Sequence, residues 1–273
     1  MRTLTAESTG AGQFQSMSQP EASYSERYCA FIDILGFGGL ISDVDREKVS
    51  VGEIHRVLSV VHAAPRTQRP QGADLRHQSI SDAIALSAAA NAAGFDAICT
   101  AAEELSRRLL RSGYFARGGL TKGRLYHDYN MVFGPALIEA YRLEREVAKF
   151  PRILIPRSVA ADGALYAQNG THWKKYFDER FMKAGDGPFF LHILRDESRH
   201  VQRLSGRIPK PSAKDDATLT ILAAMRKAIQ KRFDEASDNP EHFQKVAWFA
   251  NYWNNQVGCW RIEGLEPVEA APV

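Results

Sequence analysis

Two aspartates define the chemistry open to this sequence. Asp33 interrupts the apolar run YCAFIDIL just before the glycine-rich GFGG, and Asp82 sits within SISDAIAL. A carboxylate in a buried strand is costly unless it is paired or holds a cation, so Asp33 needs a partner. Asp82 is the best candidate, because a β-hairpin beside the first strand would bring its turn carboxylate to Asp33. Two such acids suit hard divalent ions, and Mg²⁺ prefers one or two carboxylates plus substrate phosphate oxygens to an all-protein cage. The pair therefore points to a nucleotide polyphosphate. Backbone N–H groups of Phe37 and Gly38, within GFGG, would meet its phosphates on the way into the first helix. Taken singly, each Asp fits an ordinary turn; the joint pattern is what argues for a site.

Other chemistries find less support. The eight histidines form no HExxH or close pair, which speaks against a His-based metal site. No GxSxG and no Cys–His pattern supports covalent catalysis. Cys29, Cys99 and Cys259 are widely spaced and read as reduced core residues. Arg117 and Lys122 lie in ARGGLTKG, where Gly118 and Gly119 would let backbone approach a ligand. This is not a phosphate-binding Walker loop, since the glycines precede the Lys at the wrong spacing and no Ser or Thr follows it.

The elements that must position these residues follow from periodicity. YCAFIDIL reads as a buried strand, and Val51, Ile54, Leu58 and Val61 repeat at helical spacing. LRHQSISDAIALSA offers two short strands meeting at Ser81-Asp82, followed by a helix marked by Ile98, Ala102, Leu105 and Leu109. YFARGGLTKGRLYH reads as a strand with a glycine-loosened bend. GPALIEAYRLEREVAKF opens as a helix on Gly-Pro and stays helical to Phe150. PRILIP is a short strand, and FMKAGDGPFFLHIL a closing hairpin around Gly185-Asp186-Gly187. Beyond about Ser198, Leu222, Met225, Ile229 and Phe233 mark one helix and an aromatic-rich segment a second, with Trp248, Phe249, Tyr252, Trp253 and Trp260 as packing residues. The expected organisation is a flexible arm over 1–26, a main domain over 27–197 and a helical extension over 198–273.

Composition agrees with a globular protein: 273 residues, 44% hydrophobic and 25% charged. No apolar run approaches the ~20 residues of a membrane span, and the N-terminal stretch lacks the apolar core of a signal peptide. A cytoplasmic location without membrane attachment is expected. A formal charge of +3 is too small to demand a nucleic-acid partner.

FIDILGF resembles the first-strand motif of class III nucleotidyl cyclases, SISDAIAL their metal-binding hairpin, and MVFGPALIEAYRLE the later stretch ending before Leu-Glu. Gly134, Arg142, Leu143 and Glu144 match that stretch. With RGGLTKG between them, the motifs are most similar to the pyrimidine-nucleotide cyclases of bacterial Pycsar anti-phage systems, over residues 28–195. The resemblance implies an α+β, ferredoxin-like cyclase fold, an antiparallel-rich sheet with helices packed on it, here with the C-terminal helices added. It implies two Mg²⁺ or Mn²⁺ ions on Asp33, Asp82 and the Ile34 carbonyl, and a homodimer with shared sites in which Arg142 acts in trans. By the same resemblance Lys183 is a phosphate ligand. A cyclic nucleotide would signal to a separate effector.

The departures concern the base. Positions that read a purine edge in the family hold Gln78 and Pro135, and the family's transition-state Asn is Ile138. Pro offers no side-chain hydrogen bond, so usual purine reading is disfavoured. Gln78, or else Arg117, is left to read a pyrimidine. UTP is the expected substrate and cyclic UMP the product, with a purine cyclase or a catalytically silent nucleotide sensor as alternatives. A polymerase-like palm or diguanylate cyclase would show adjacent acids or a GG[DE]EF loop, and neither is found.

Overall fold

The computed structural model describes residues 23–63, 70–168, 179–205, 216–262 and 264–269. The first strand, β1 (Ser25–Ile34), begins two residues ahead of the expected domain start at Arg27, and residues 1–22 of the expected arm lie outside the described residues. Along β1 the even positions Tyr28, Ala30, Ile32 and Ile34 are at most 1% exposed, whereas Asp33 is only half-buried. This period of two fixes the two faces of the sheet.

After β1 the chain forms α1 (Phe37–Asp45), α2 (Val51–His62), the hairpin β2 (Arg76–Ile80) and β3 (Ala83–Ala89), and α3 (Ala92–Arg111). It continues through β4 (Ala116–His127), β5 (Val132–Phe133), α4 (Pro135–Arg142) and a π-helical turn (Leu143–Val147). Then come β6 (Ile153–Ile155), α5 (Arg157–Gln168), β7 (Phe181–Lys183) and β8 (Phe189–Leu191). The C-terminal helices are α6 (Arg195–Ser205), α7 (Ala217–Glu235) and α8 (Pro240–Trp260). The sheet order is β2-β3-β1-β4-β6-β8-β7, with β5 paired to β4; only β4 and β6 run parallel. The fold is thus α+β with an antiparallel-rich sheet and added C-terminal helices, as expected from the sequence.

One face of the sheet packs Tyr28, Ile32, Ile34 and Leu120 against Val57, Val61, Ile98 and Leu109 of α2 and α3. The other face is covered by α4 through a smaller cluster of Cys29, Leu125, Ala136 and Ala140. A third cluster joins Phe115 and Phe190 of the sheet to Leu222, Met225, Phe249 and Trp253 of α7 and α8. The aromatic residues of α8 are packing residues, with Phe249 4.7 Å from Phe115 and Trp248 5.3 Å from Phe190. The C-terminal helices therefore share a core with the sheet.

Two elements differ from the sequence expectation, and a third, α5, was not anticipated by it. α1 starts inside the stretch read as a glycine turn, because Gly36 takes the left-handed conformation (φ 82°) and caps the helix. The helix expected to reach Phe150 ends at Arg142 and passes into the π-helical turn, after which Ala148 leaves helical geometry. α5 carries small buried residues, Ala160, Gly163 and Ala167, rather than a large apolar stripe.

A candidate active site at the end of the first strand

Asp33 is the penultimate residue of β1, directly opposite Ala83 of β3 on one side and Arg117 of β4 on the other. Residues paired in this way share a face of the sheet. Ala83 follows Asp82 immediately, and the two-residue loop Ser81-Asp82 is tight enough to need Ser81 at φ 56°. The hairpin therefore brings Asp82 to Asp33, and the two side chains share a hydrogen bond when Asp33 is protonated. Burial, then the charge of Asp82, then that of Glu144 push the Asp33 carboxyl up to about 7; Arg117 pulls the other way. Glu144, from the π-helical turn, is buried and clasps Arg117, its Oε1 accepting from Nε at 2.7 Å. Glu144 is a neighbour the sequence reading did not assign to the site, and its buried pairing with Arg117 engages the cation closest to Asp33.

The remaining candidates separate clearly. Ile34 points its side chain into the α2–α3 core, so only its carbonyl could serve the site. Phe37 and Gly38 occupy the first turn of α1, where Gly39 and Leu40 donate back to the Gly36 carbonyl at 3.1 and 3.3 Å. The N–H groups of Phe37 and Gly38 precede that first intrahelical bond and remain for a ligand. Gln78 lies on the Asp33 face, in register with Ala85 and hence with Phe31. Its Nε2 donates to the Asn130 carbonyl at 2.9 Å, and its Oε1 is buried with no hydrogen-bond partner.

Lys122 is not brought to the carboxylates. Its strand position is opposite Tyr28, on the other face, and its Nζ pairs with Asp162 at 3.0 Å. Lys183 is exposed on β7, the far edge strand. Four inter-strand steps separate β7 from β1, roughly 19 Å at ~4.8 Å each. Arg142 projects into solvent from the last turn of α4 and binds Glu139 at 2.7 and 2.8 Å. Within one chain it is not among the charges acting on Asp33. Gly118 and Gly119 serve close packing rather than a ligand: a Cβ on Gly118 would stand 2.6 Å from the Phe31 carbonyl, and one on Gly119 2.5 Å from Leu143 Cβ. Pro135 is at the first position of α4, after Gly134 at φ 136°, a place proline's fixed φ suits. Ile138 is 69% exposed on the same helix.

Among the described residues no group of three or more His, Cys, Asp or Glu side chains converges as a metal cage. No described helix is long and apolar enough to cross a membrane.

No protein-family model matches the chain, and no curated protein is significantly similar to it. Among solved structures, a bacterial light-regulated adenylyl cyclase aligns at a TM-score of 0.41 and 17% identity, over 76% of this chain and 58% of that one. A guanylyl cyclase aligns at 0.39 and 13% identity, over 62% of this chain and 92% of that one. The chain thus spans less than two thirds of the length of the adenylyl cyclase.

Proposed function

We propose that the protein is a metal-dependent nucleotidyl cyclase of the class III kind that converts UTP to 3′,5′-cyclic UMP and pyrophosphate. The observation that carries this reading is the contact of Asp33 with Asp82. Two half-buried acids meet there, the charge of Asp82 and burial raise the proton affinity of Asp33, and the neighbouring Arg117 is already engaged by Glu144. The pair of acids fits a hard divalent ion completed by substrate phosphates. Asp33, Asp82 and the Ile34 carbonyl would hold two Mg²⁺ or Mn²⁺ ions. When bound, such ions lower the pKa of the ribose 3′-hydroxyl and neutralise charge on the leaving pyrophosphate. The bond formed is O3′ to the α-phosphorus, the bond broken is that phosphorus to the bridging oxygen, and the hydroxyl proton passes to solvent. The chain's own part is positioning: the first turn of α1 presents the N–H groups of Phe37 and Gly38 to the polyphosphate.

The position of Arg142 supports a homodimer. On the helix that covers the Asp33 face, Ile138 and Tyr141 are exposed, as are Met131 and Phe133 of the neighbouring β5 arm. A second copy docked on this apolar surface would cover it and could present its own Arg142 to the reacting phosphate. Uracil is favoured by Gln78 on the Asp33 face: its Oε1 is covered and unpaired in this conformation, and a turn of the side chain away from Asn130 would bring that acceptor to a base. The N3–H of uracil is a matching donor, whereas Pro135 has nothing to offer a purine edge. The product would act on a separate cyclic-nucleotide-responsive effector. The test is incubation of the purified chain with Mn²⁺ and each ribonucleoside triphosphate, with mass analysis of products. Cyclic UMP should form fastest. Faster cyclisation of ATP or GTP would replace the substrate assignment with a purine one, and no cyclic product from any of the four would overturn the enzyme reading.

A further inference from the structure

A cavity of about 420 Å³ opens between the start of α1, the turn leading into β4, and helices α7 and α8. Gly36 and Phe37 form one wall, Tyr114 and Phe115 the floor, and Arg232, His242 and Lys245 the opposite wall. Gly36 is three residues beyond Asp33, so their Cα atoms lie at most ~11 Å apart by chain length alone. The Leu35 N–H donates to the Phe115 carbonyl at 2.9 Å, which fixes the α1 turn to the cavity floor.

The charges around the cavity are mixed, and their arrangement decides the sign. Arg232 stacks over the Tyr114 ring at 4.7 Å and donates to the Gly113 carbonyl at 2.7 Å, so it is held in place. Glu235 takes its other side at 3.2 Å. Lys245 pairs with Glu241 at 2.7 Å, but Glu241 is 83% exposed, and so solvated a partner four residues away on a helix holds a cation weakly. Lys245 is thus able to exchange this partner for a better anion. Asp43 is the acid on the α1 side. At His242, burial and then the charges of Arg232 and Lys245 hold the imidazole below its usual range, against the opposing pull of Glu235. Arg232 and Lys245 are the cations of that wall, and each acts on His242 more strongly than Glu235 does. Lys122, expected to meet phosphate or base, stands on the other face of the sheet, and Lys183, expected to meet phosphate, stands at its far edge.

We propose that this cavity receives the terminal phosphates of the nucleoside triphosphate, with Lys245 as their ligand and Arg232 as a fixed neighbouring cation. The C-terminal helices then complete the active site of the same chain. This rests on the cyclase reading, and the experiment separates the two. Binding of inorganic tripolyphosphate with Mg²⁺ to the full chain is measured by calorimetry, beside the KM of the preferred nucleotide. Lys245→Ala should weaken tripolyphosphate binding and raise KM by about tenfold, the scale of a lost charged hydrogen bond, with kcat within about twofold. Lys245→Arg should restore both, and tripolyphosphate should compete with nucleotide. Lys245 is only 23% exposed, so its aliphatic stem packs, and Lys245→Met, which keeps that packing, should weaken tripolyphosphate binding as Lys245→Ala does while leaving the thermal midpoint unchanged. Failure of the wild type to bind tripolyphosphate, binding insensitive to Lys245→Ala, or inhibition that does not compete with nucleotide, as a separate anionic effector would give, overturns the inference. Lys245-dependent binding without any cyclic product overturns the cyclase reading and leaves the phosphate cavity standing.

Discussion

Replacing Asp33 with Asn removes a negative charge from a place where three effects already disfavour it: burial, the carboxylate of Asp82 and that of Glu144. Raising the carboxyl from 3.8 to about 7 corresponds to about 4 kcal/mol against the charged form. The site is partly open to water, and screening lowers this to ~2 kcal/mol. Asn keeps the shape of the protonated acid, so Asp33→Asn should be more stable than the wild type by ~2 kcal/mol at pH 8.5 in EDTA, about 4–8 °C in thermal midpoint. The sign follows from proton linkage. Below about pH 4 the wild-type carboxyl is protonated folded or unfolded, and the substitution gains nothing. Between pH 4 and 7 the folded chain keeps a proton that the unfolded chain has released, so wild-type stability falls as pH rises. Above pH 7 the whole penalty is present. Addition of Mn²⁺ should raise the wild-type midpoint by mass action and leave Asp33→Asn unmoved. Urea and thermal denaturation from pH 4 to 8.5, with and without metal, read all of this. Equal stabilities at pH 8.5 in EDTA, or an advantage undiminished at pH 4, would refute the electrostatic account of the pair.

Mixing Asp33→Ala protein with Arg142→Ala protein should restore cyclase activity to about a quarter to a half of wild type if one site draws on both chains; no rescue after demonstrated subunit exchange would remove Arg142 from a shared site. Gly119→Ala should cost ~2–3 kcal/mol, because its Cβ would meet Leu143 Cβ at 2.5 Å and the Ala140 carbonyl at 2.8 Å. Gly123→Ala, whose nearest neighbour would be Ala136 at 3.6 Å, should be neutral or slightly stabilising, and urea midpoints compare the two. His127 and His192 are both held near 4, mainly by burial. The unfolded chain takes up their protons first as pH drops below 6.5, so the stability of Asp33→Asn should decline from pH 6.5 to 4; a flat profile would show that neither imidazole is kept neutral by the fold.

How much of this was legible in the sequence depends on the range of the signal. β1, the β2–β3 hairpin, α2, α3 and the closing β7–β8 hairpin could be read because each depends on local periodicity and turn residues. The meeting of Asp33 and Asp82 was legible too, since a two-residue hairpin loop fixes register and register fixes which face a carboxylate takes. α1 was obscured by its own glycines. α5 was obscured because it buries alanine and glycine, which leave no amphipathic stripe. Gly118 and Gly119 were legible as positions of close approach, but the object approached is the adjoining strand and the π-helical turn, which sequence spacing does not reveal. The placement of Lys122 had a signal that goes unused when a glycine-rich strand is read as bent. β4 is continuous from Ala116 to His127, so residues 117 and 122 differ in parity and cannot share a face.

Arg142 and Lys183 pose a different problem, because no local pattern measures distance across a sheet or between chains. The β7 edge is as far from Asp33 as a seven-strand order permits on that side, and this cannot be repaired by side-chain length: a Lys reaches only a fraction of the ~19 Å between the strands. Arg142 differs in kind. It lies on α4, the helix that covers the Asp33 face, but faces outward beside exposed Ile138 and Tyr141. Its present partners are Glu139 and, at 3.8 Å, Glu146, all largely exposed, and such pairs hold a guanidinium weakly. A cation so held, on an apolar and unpartnered surface, is available to an anion presented by whatever docks there. The same feature that removes Arg142 from the site of its own chain is what a shared site between two copies would require, and the mixed-variant experiment tests that step directly.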